Sequence, residues 1–323
     1  MSDKFVFQNA KIKHRESKLL PYQTVQRLLD CTKPEDAFKI LTEAGFGAGV
    51  SVENGDFDAM FAAEEANAVA ILKEMNVDGA LDAFLIQYDY LNLKALLKAS
   101  VTGAKVYDAP CGKYEIEDLQ TSIVAGDTSK LSVYMADAVK SVQKLIADEK
   151  ANPRAIDTLT DRAMYKEISV LVKKSGKLAE EYFVRKIDYT NILTFMRCRK
   201  LGLDQKAFAD NFIEGGELDI KSFEAVFEAT DEAFKDKCKF TAYQDIVAKL
   251  ADEANFVAFE VETDNALLNM WKANKSDMFS IAPIVSYYLT KITEIKVTKL
   301  IVAGIKNHVD AALIRERMRD LYA

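Results

Sequence analysis

The sequence predicts an all-α protein, and three observations carry that prediction. Its 323 residues include only 5 prolines and 13 glycines, well under the ~5% and ~7% of average usage, which is the composition of long helices joined by few tight turns. Apolar residues recur at helical spacing, as in Met135, Val139, Val142 and Ile146, which stand at i, i+4, i+7 and i+11. No series of alternating apolar and polar residues reads as strands. At roughly 150 residues per domain the length allows two or three domains and a sizeable core.

The first helix is predicted through "KLLPYQTVQRLLD". The next covers "TKPEDAFKILTEAG", where Thr32 and Glu35 have capping-box spacing, Pro34 lies in the first turn and Gly45 stops the helix. "DAMFAAEEANAVAILKEMN" is amphipathic, and "GALDAFLIQYDYLNLKALLKAS" is a long helix apolar on nearly every side, so it belongs in the interior. Gly103, Pro110 and Gly112 then form the densest cluster of breakers in the first half. "VYMADAVKSVQKLIADEK" follows as a helix, ended where Pro153 forces a turn.

Helices are predicted over about Ala155–Lys173 and Lys177–Lys200, with "LGLDQKAF" and "GGELDIKSF" as loop and cap segments. Three more helical stretches follow: "FEAVFEATDEAF", "YQDIVAKLADEANFVAFEVETDNALLNMWKANK" and "IAPIVSYYLTKITEIKVTKLIVAGIKN". The closing "LIRERMRDLYA" places Arg315, Arg317 and Arg319 on a C-terminal helix, where cations complement the dipole.

Three of these helices carry a related polar signature. Asp89, Tyr90, Leu91, Asn92 is answered by Asp188, Tyr189, Thr190, Asn191, and a degenerate third copy reads Lys291, Ile292, Thr293, Glu294. Asn92 and Asn191 are 99 residues apart, Asn191 and Glu294 103. Each copy is followed by two cations: Lys94 and Lys98, Arg197 and Arg199, Lys296 and Lys299. The chain therefore divides into three similar helical modules, 1–106, 107–206 and 207–323.

Asp and Asn at i and i+3 share one helix face. In so apolar a setting that face is partly buried, and a buried polar side chain without a partner costs about 1–3 kcal/mol. The expected role of Asp89, Asn92, Asp188, Asn191 and Glu294 is structural: bonding to a neighbouring helix, or capping one, and so fixing how each module packs.

Nothing points to a catalyst. The net charge of −7 and pI near 5.2 lack the basic footprint of a nucleic-acid binder. His14 and His308 stand apart from any nucleophile arrangement, and Cys31, Cys111, Cys198 and Cys238 lack metal-ligand spacing, reading as free, largely buried thiols. "GFGAG", Gly45–Gly49, follows a helix without a preceding strand, which suits a helix stop better than a phosphate cradle. No cofactor, metal or catalytic residue is expected. No apolar run reaches the roughly 18 residues of a membrane span, and the N-terminus lacks a signal-peptide pattern, so the chain is expected in the cytoplasm.

A resemblance adds to this. "FVFQNAKIKHRESKLL", "YDYLNLKALLKAS", "IDYTNILTFMRCRKLG", "FIEGGELD" and "YYLTKITEIKVTKLIVAGIKN", in that order from about residue 5 to 320, resemble the C subunit of the prokaryotic V-type (A/V-type) rotary ATPases, the counterpart of the d subunit of the eukaryotic V-ATPase. The resemblance implies a pseudo-threefold funnel of three helical domains, seated at the cytoplasmic face of the membrane. Its implied partners are the proteolipid ring and the D and F subunits of the central shaft, which the funnel joins without an active site of its own. The family's asparagine-bearing helices match Asn92 and Asn191, and the third copy departs with Glu294. Two other readings compete: a helical-repeat scaffold of another assembly, and a helical enzyme using Asp89 and Asp188.

Overall fold

A computed structural model describes residues 3–47, 55–103, 109–253 and 255–321, with the backbone alone for 251–253. Among them are sixteen α-helices and no strand. In chain order these are α1 (Val6–Glu16), α2 (Tyr22–Leu29), α3 (Pro34–Glu43), α4 (Phe57–Glu74), α5 (Asp82–Thr102), α6 (Ile116–Val124), α7 (Val133–Ala147), α8 (Pro153–Leu171), α9 (Lys177–Lys200), α10 (Gln205–Ala209), α11 (Ile220–Glu224), α12 (Asp231–Cys238), α13 (Gln244–Glu253), α14 (Phe256–Lys272), α15 (Ala282–Lys306) and α16 (Ala311–Arg315).

Local chemistry sets most of the boundaries. Asn152 caps α8 by accepting from the Ala155 N–H, with Pro153 behind it as first helical residue, and Asp204, Asp219, Thr230 and Asn255 cap α10, α11, α12 and α14 in the same way. Gly45 and Gly103 take the left-handed conformation, φ +89° and +69°, just beyond α3 and α5, where a side chain would be strained. The described part of "GFGAG" is thus a helix stop, and its last two residues lie outside the described residues. So does the module boundary at 106–107.

Several expectations need correction. "KLLPYQTVQRLLD" is not one helix: α1 ends at Glu16, and α2 starts only after Pro21. Lys33, not Thr32, is the N-cap of α3 and makes no side-chain bond there, so the capping box does not form. Ile146 is 40% exposed, while Met135, Val139 and Val142 are fully buried. Cys31 and Cys111 are half-buried; Cys198 and Cys238 are buried. The C-terminal helix stops at Arg315, so Arg317 and Arg319 lie outside it. The Arg319 Nε instead donates to Asp264 on α14 at 3.0 Å.

The chain forms two compact units, Met1–Val77 with Asn255–Ala323, and Asp78–Ala254. In the first, α15 packs against α1, α2, α3, α4, α14 and α16. Its core joins Val25, Leu28, Leu41, Phe57 and Met60 from the N-terminal helices to Ile295, Val297, Ile301 and Ile305 of α15. In the second, α5 packs against α6, α7 and α8. Phe195 on α9 sits in an aromatic nest there, its ring centroid 4.5 Å from Phe234, 5.4 Å from Phe223 and 5.5 Å from Phe208.

Candidate functional site

The polar signature residues fall on the three longest buried helices, and each set grips the loop that leads into a following short helix. On α5 the Asp89 carboxylate accepts from three consecutive backbone amides: Gly112 at 2.8 Å, Lys113 at 2.6 Å and Tyr114 at 3.3 Å. One turn on, Asn92 donates to the Ala109 carbonyl at 3.0 Å and accepts from the Ala109 N–H at 2.8 Å, pairing as a strand neighbour does. The gripped segment, 109–114, enters α6.

On α9 the clamp recurs. Asp188 accepts from the amides of Glu217 at 2.8 Å and Leu218 at 3.1 Å, and Asn191 pairs with both backbone groups of Ile213 at 2.8 and 3.0 Å. This segment enters α11. The Asn-to-backbone separation is 17 residues in the first copy and 22 in the second, where the connection includes α10. The Tyr243 hydroxyl adds a 2.5 Å bond to Asp188. Burial pushes the Asp188 carboxyl up from its ordinary value although these donors pull it down, and burial beside Asp188 raises the Tyr243 phenol strongly.

The glycines in the gripped loops explain themselves by close approach. A Cβ on Gly112 would stand 2.1 Å from the Leu85 carbonyl oxygen and 2.5 Å from an Asp89 oxygen, and one on Gly216 would stand 2.1 Å from Asp188 Oδ1. A carboxylate can receive adjacent amides this closely only where the loop has no side chain in the way.

On α15 the clamp is rebuilt with different charges. Lys291 stands where the aspartates stand and Glu294 where the asparagines do. Glu294 Oε1 accepts the Leu20 N–H at 2.8 Å, and Leu20, like Tyr114 and Leu218, is two residues before its short helix, here α2. Lys291 pairs with Glu64 on α4 at 2.8 Å, approaches Glu294 at 3.5 Å and lies over the Phe46 ring at 4.3 Å. Glu64 in turn accepts the Gly47 N–H at 2.9 Å. Burial pushes the Glu294 carboxyl up to about 7 against the opposing pull of Lys291 and the Leu20 amide.

The cations after each signature tie the long helices to their neighbours: Lys94 to Asp161 and Lys98 to Asp157 on α8, Arg199 to Asp231 on α12, Lys296 to Asp264 on α14 and Lys299 to Glu65 on α4. The five signature residues therefore do not converge on one pocket; each serves its own helix. Asp89 and Asp188 spend both carboxylate oxygens on the chain itself. Sequence reasoning missed the receiving side, Leu20, Ala109, Ile213 and Gly216, and the partner Glu64; it read Gly112 only as a breaker and placed Lys291 in the third copy without a role. An apolar residue followed three places on by glycine, in "APCG" and "IEGG", was the available signal.

Compared with known proteins, residues 8–317 match the family described as ATP synthase (C/AC39) subunit. The chain belongs to that family. Among its relatives are the C subunit of the A-type ATP synthase of Methanococcoides burtonii, 24% identical over 98% of this chain and 94% of that protein, and the C subunit of the V-type sodium ATPase of Enterococcus hirae, 23% identical over 97% and 98%. The C subunit of the V-type ATP synthase of Thermus thermophilus is 22% identical over 89% and 90%. Membership of the family places this chain within an ATP synthase complex. Among the described residues, no helix is long and apolar enough to cross a membrane.

Proposed function

We propose that this chain is the non-catalytic C subunit of a V/A-type rotary ATPase, linking the membrane proteolipid ring to the central shaft formed by the D and F subunits. In that role it sits at the cytoplasmic face of the membrane and carries torque for ATP-linked transport of H⁺ or Na⁺. The observation that carries the reading is a family match over nearly the whole chain, with relatives named as the C subunit of A-type and V-type enzymes covered almost end to end. The recurring clamp supports it, since Asp89 with Asn92, Asp188 with Asn191 and Glu294 each fix one short helix to one long helix. That recurrence suits three similar modules, and it supports a structural role for the five signature residues.

The test is to assemble the membrane ATPase with and without this chain. Without it, the soluble head should still hydrolyse ATP while ion-driven ATP synthesis is lost, and adding the chain back should restore synthesis. Undiminished synthesis in its absence overturns the proposal. Pull-down of neither a proteolipid nor a shaft component would point instead to a helical scaffold of another assembly.

A further inference from the structure

The first two clamps are held by side chains in a repeated, matched arrangement, and the third is not. Lys291, Glu64 and Glu294 share one buried space, their side chains 9%, 7% and 0% exposed. With all three ionised, that space holds one negative charge in excess. We propose that this cluster is a pH-sensitive latch that sets how firmly the loop at Leu20, and α2 behind it, are held on α15.

The geometry decides which carboxyl takes the proton. Glu64 lies 2.8 Å from the Lys291 ammonium and also accepts the Gly47 amide. Glu294 lies farther from the ammonium, 3.5 Å, and is the more deeply buried. Protonating Glu294 leaves Lys291 and Glu64 as a matched pair, which a water-poor interior tolerates far better than an unbalanced charge. Burial, reinforced by Glu64, accordingly places the Glu294 carboxyl near neutrality.

Beyond the three, burial pushes up the Tyr287 phenol of α15, and Glu294 and Glu64, which it also faces, add to the rise; the charged groups on the neighbouring elements are paired as follows. On α1, Arg15 pairs with Glu74 while acting on Tyr287 of α15. Asp264 of α14 meets Lys296 and Arg319; Glu65 of α4 meets Lys299; Arg27 of α2 meets Glu43 of α3; and Arg315 of α16 meets Gln26. The excess charge therefore sits on the three residues, with the Tyr287 phenol beside them.

The direction follows from linkage. A carboxyl whose folded-state value is raised above its unfolded value of 4.5 stabilises the fold fully below about 4.5, and that contribution is lost as pH rises through about 7. Below neutrality the latch is closed and carries no net charge. Above it, the Leu20 amide holds the ionised Glu294 more strongly, but the larger burial penalty on the excess charge is relieved only by water, and opening at Leu20 admits it.

The experiment is amide hydrogen exchange on the full-length chain from pH 5.5 to 8.5, corrected for intrinsic exchange. The amides of Ala109 and Ile213, held by asparagines that do not titrate, are internal controls. Protection of Leu20 and α2 should fall about tenfold or more as pH rises through 7, relative to those controls. In Glu294→Gln the pH dependence should vanish. In Glu64→Gln, where Lys291 can pair with Glu294 alone, the transition should move to lower pH. Equal protection of Leu20 at pH 5.5 and 8.5, or an unchanged profile in either variant, overturns the latch. Should Glu294→Gln not fold, the wild-type profile and Glu64→Gln still decide.

Discussion

Asn92 and Asn191 act as strand partners inside helices, each closing a two-bond ring with one loop residue. Leucine has the branching of asparagine but bulkier methyl ends, so Asn→Leu removes both bonds, strands a backbone N–H and carbonyl, and crowds a fully buried site. The Ile213 groups are buried, whereas Ala109 is only partly so. Asn191→Leu should therefore cost about 2–3 kcal/mol and Asn92→Leu about 1–2 kcal/mol, read from denaturant unfolding. An Asn191→Leu chain as stable as the wild type removes the packing role. The glycines make a sharper comparison. At Gly112 an added methyl meets the Leu85 backbone, which cannot step aside, while at Gly216 it meets only the Asp188 side chain. Gly112→Ala should cost more than Gly216→Ala, and Asp188→Ala should be less harmful in the Gly216→Ala background than in the wild type.

Among the elements, α9 was legible to the residue because its limits are local: Gly176 precedes it and Gly202, left-handed at φ +65°, follows. The break between α1 and α2 carried a local signal, Pro21, which disfavours helical backbone at Leu20, but helical periodicity runs on through Leu19 and Leu20 and masks it. What the sequence does not show is tertiary: the Leu20 amide is taken by Glu294, 274 residues away. The glycines of the gripped loops were visible as punctuation, but their reason is an aspartate 23 residues earlier in one case and 28 in the other. The third signature was legible as degenerate and no further, since the compensating Glu64 sits on another helix. That compensation is testable on α15. Lys291→Met leaves two buried carboxylates without a cation and should cost about 3–5 kcal/mol at pH 8. Adding Glu64→Gln and Glu294→Gln to it should recover a large part of that loss. A triple variant no better than the single one would show that the charge balance is not what Lys291 supplies.

For the whole molecule, the consequential fact is that both ends of the chain build one unit. α15 supplies Ile295, Val297, Ile301 and Ile305 to a core whose other wall is Val25, Leu28, Leu41, Phe57 and Met60. Its polar bonds run the same way, from Glu294 to Leu20 and from Lys291 to Glu64, and Asn9 of α1 donates to the carbonyls of Met278 and Ser280. The second unit, by contrast, closes its clamps at Asn92 and Asn191 within residues 78–253. A chain ending at Ala254 keeps every residue of the second unit but strips α1 to α4 of their apolar partner. Helices so short and so dependent on tertiary burial do not persist alone in water. Residues 6–74 of that truncated chain should be cut rapidly in limited proteolysis while 78–253 survives, and supplying residues 255–323 as a separate polypeptide should restore protection. If 6–74 stays as resistant as in the full chain, the N-terminal helices have a stabilising partner other than α15, and the shared core does not hold that unit together.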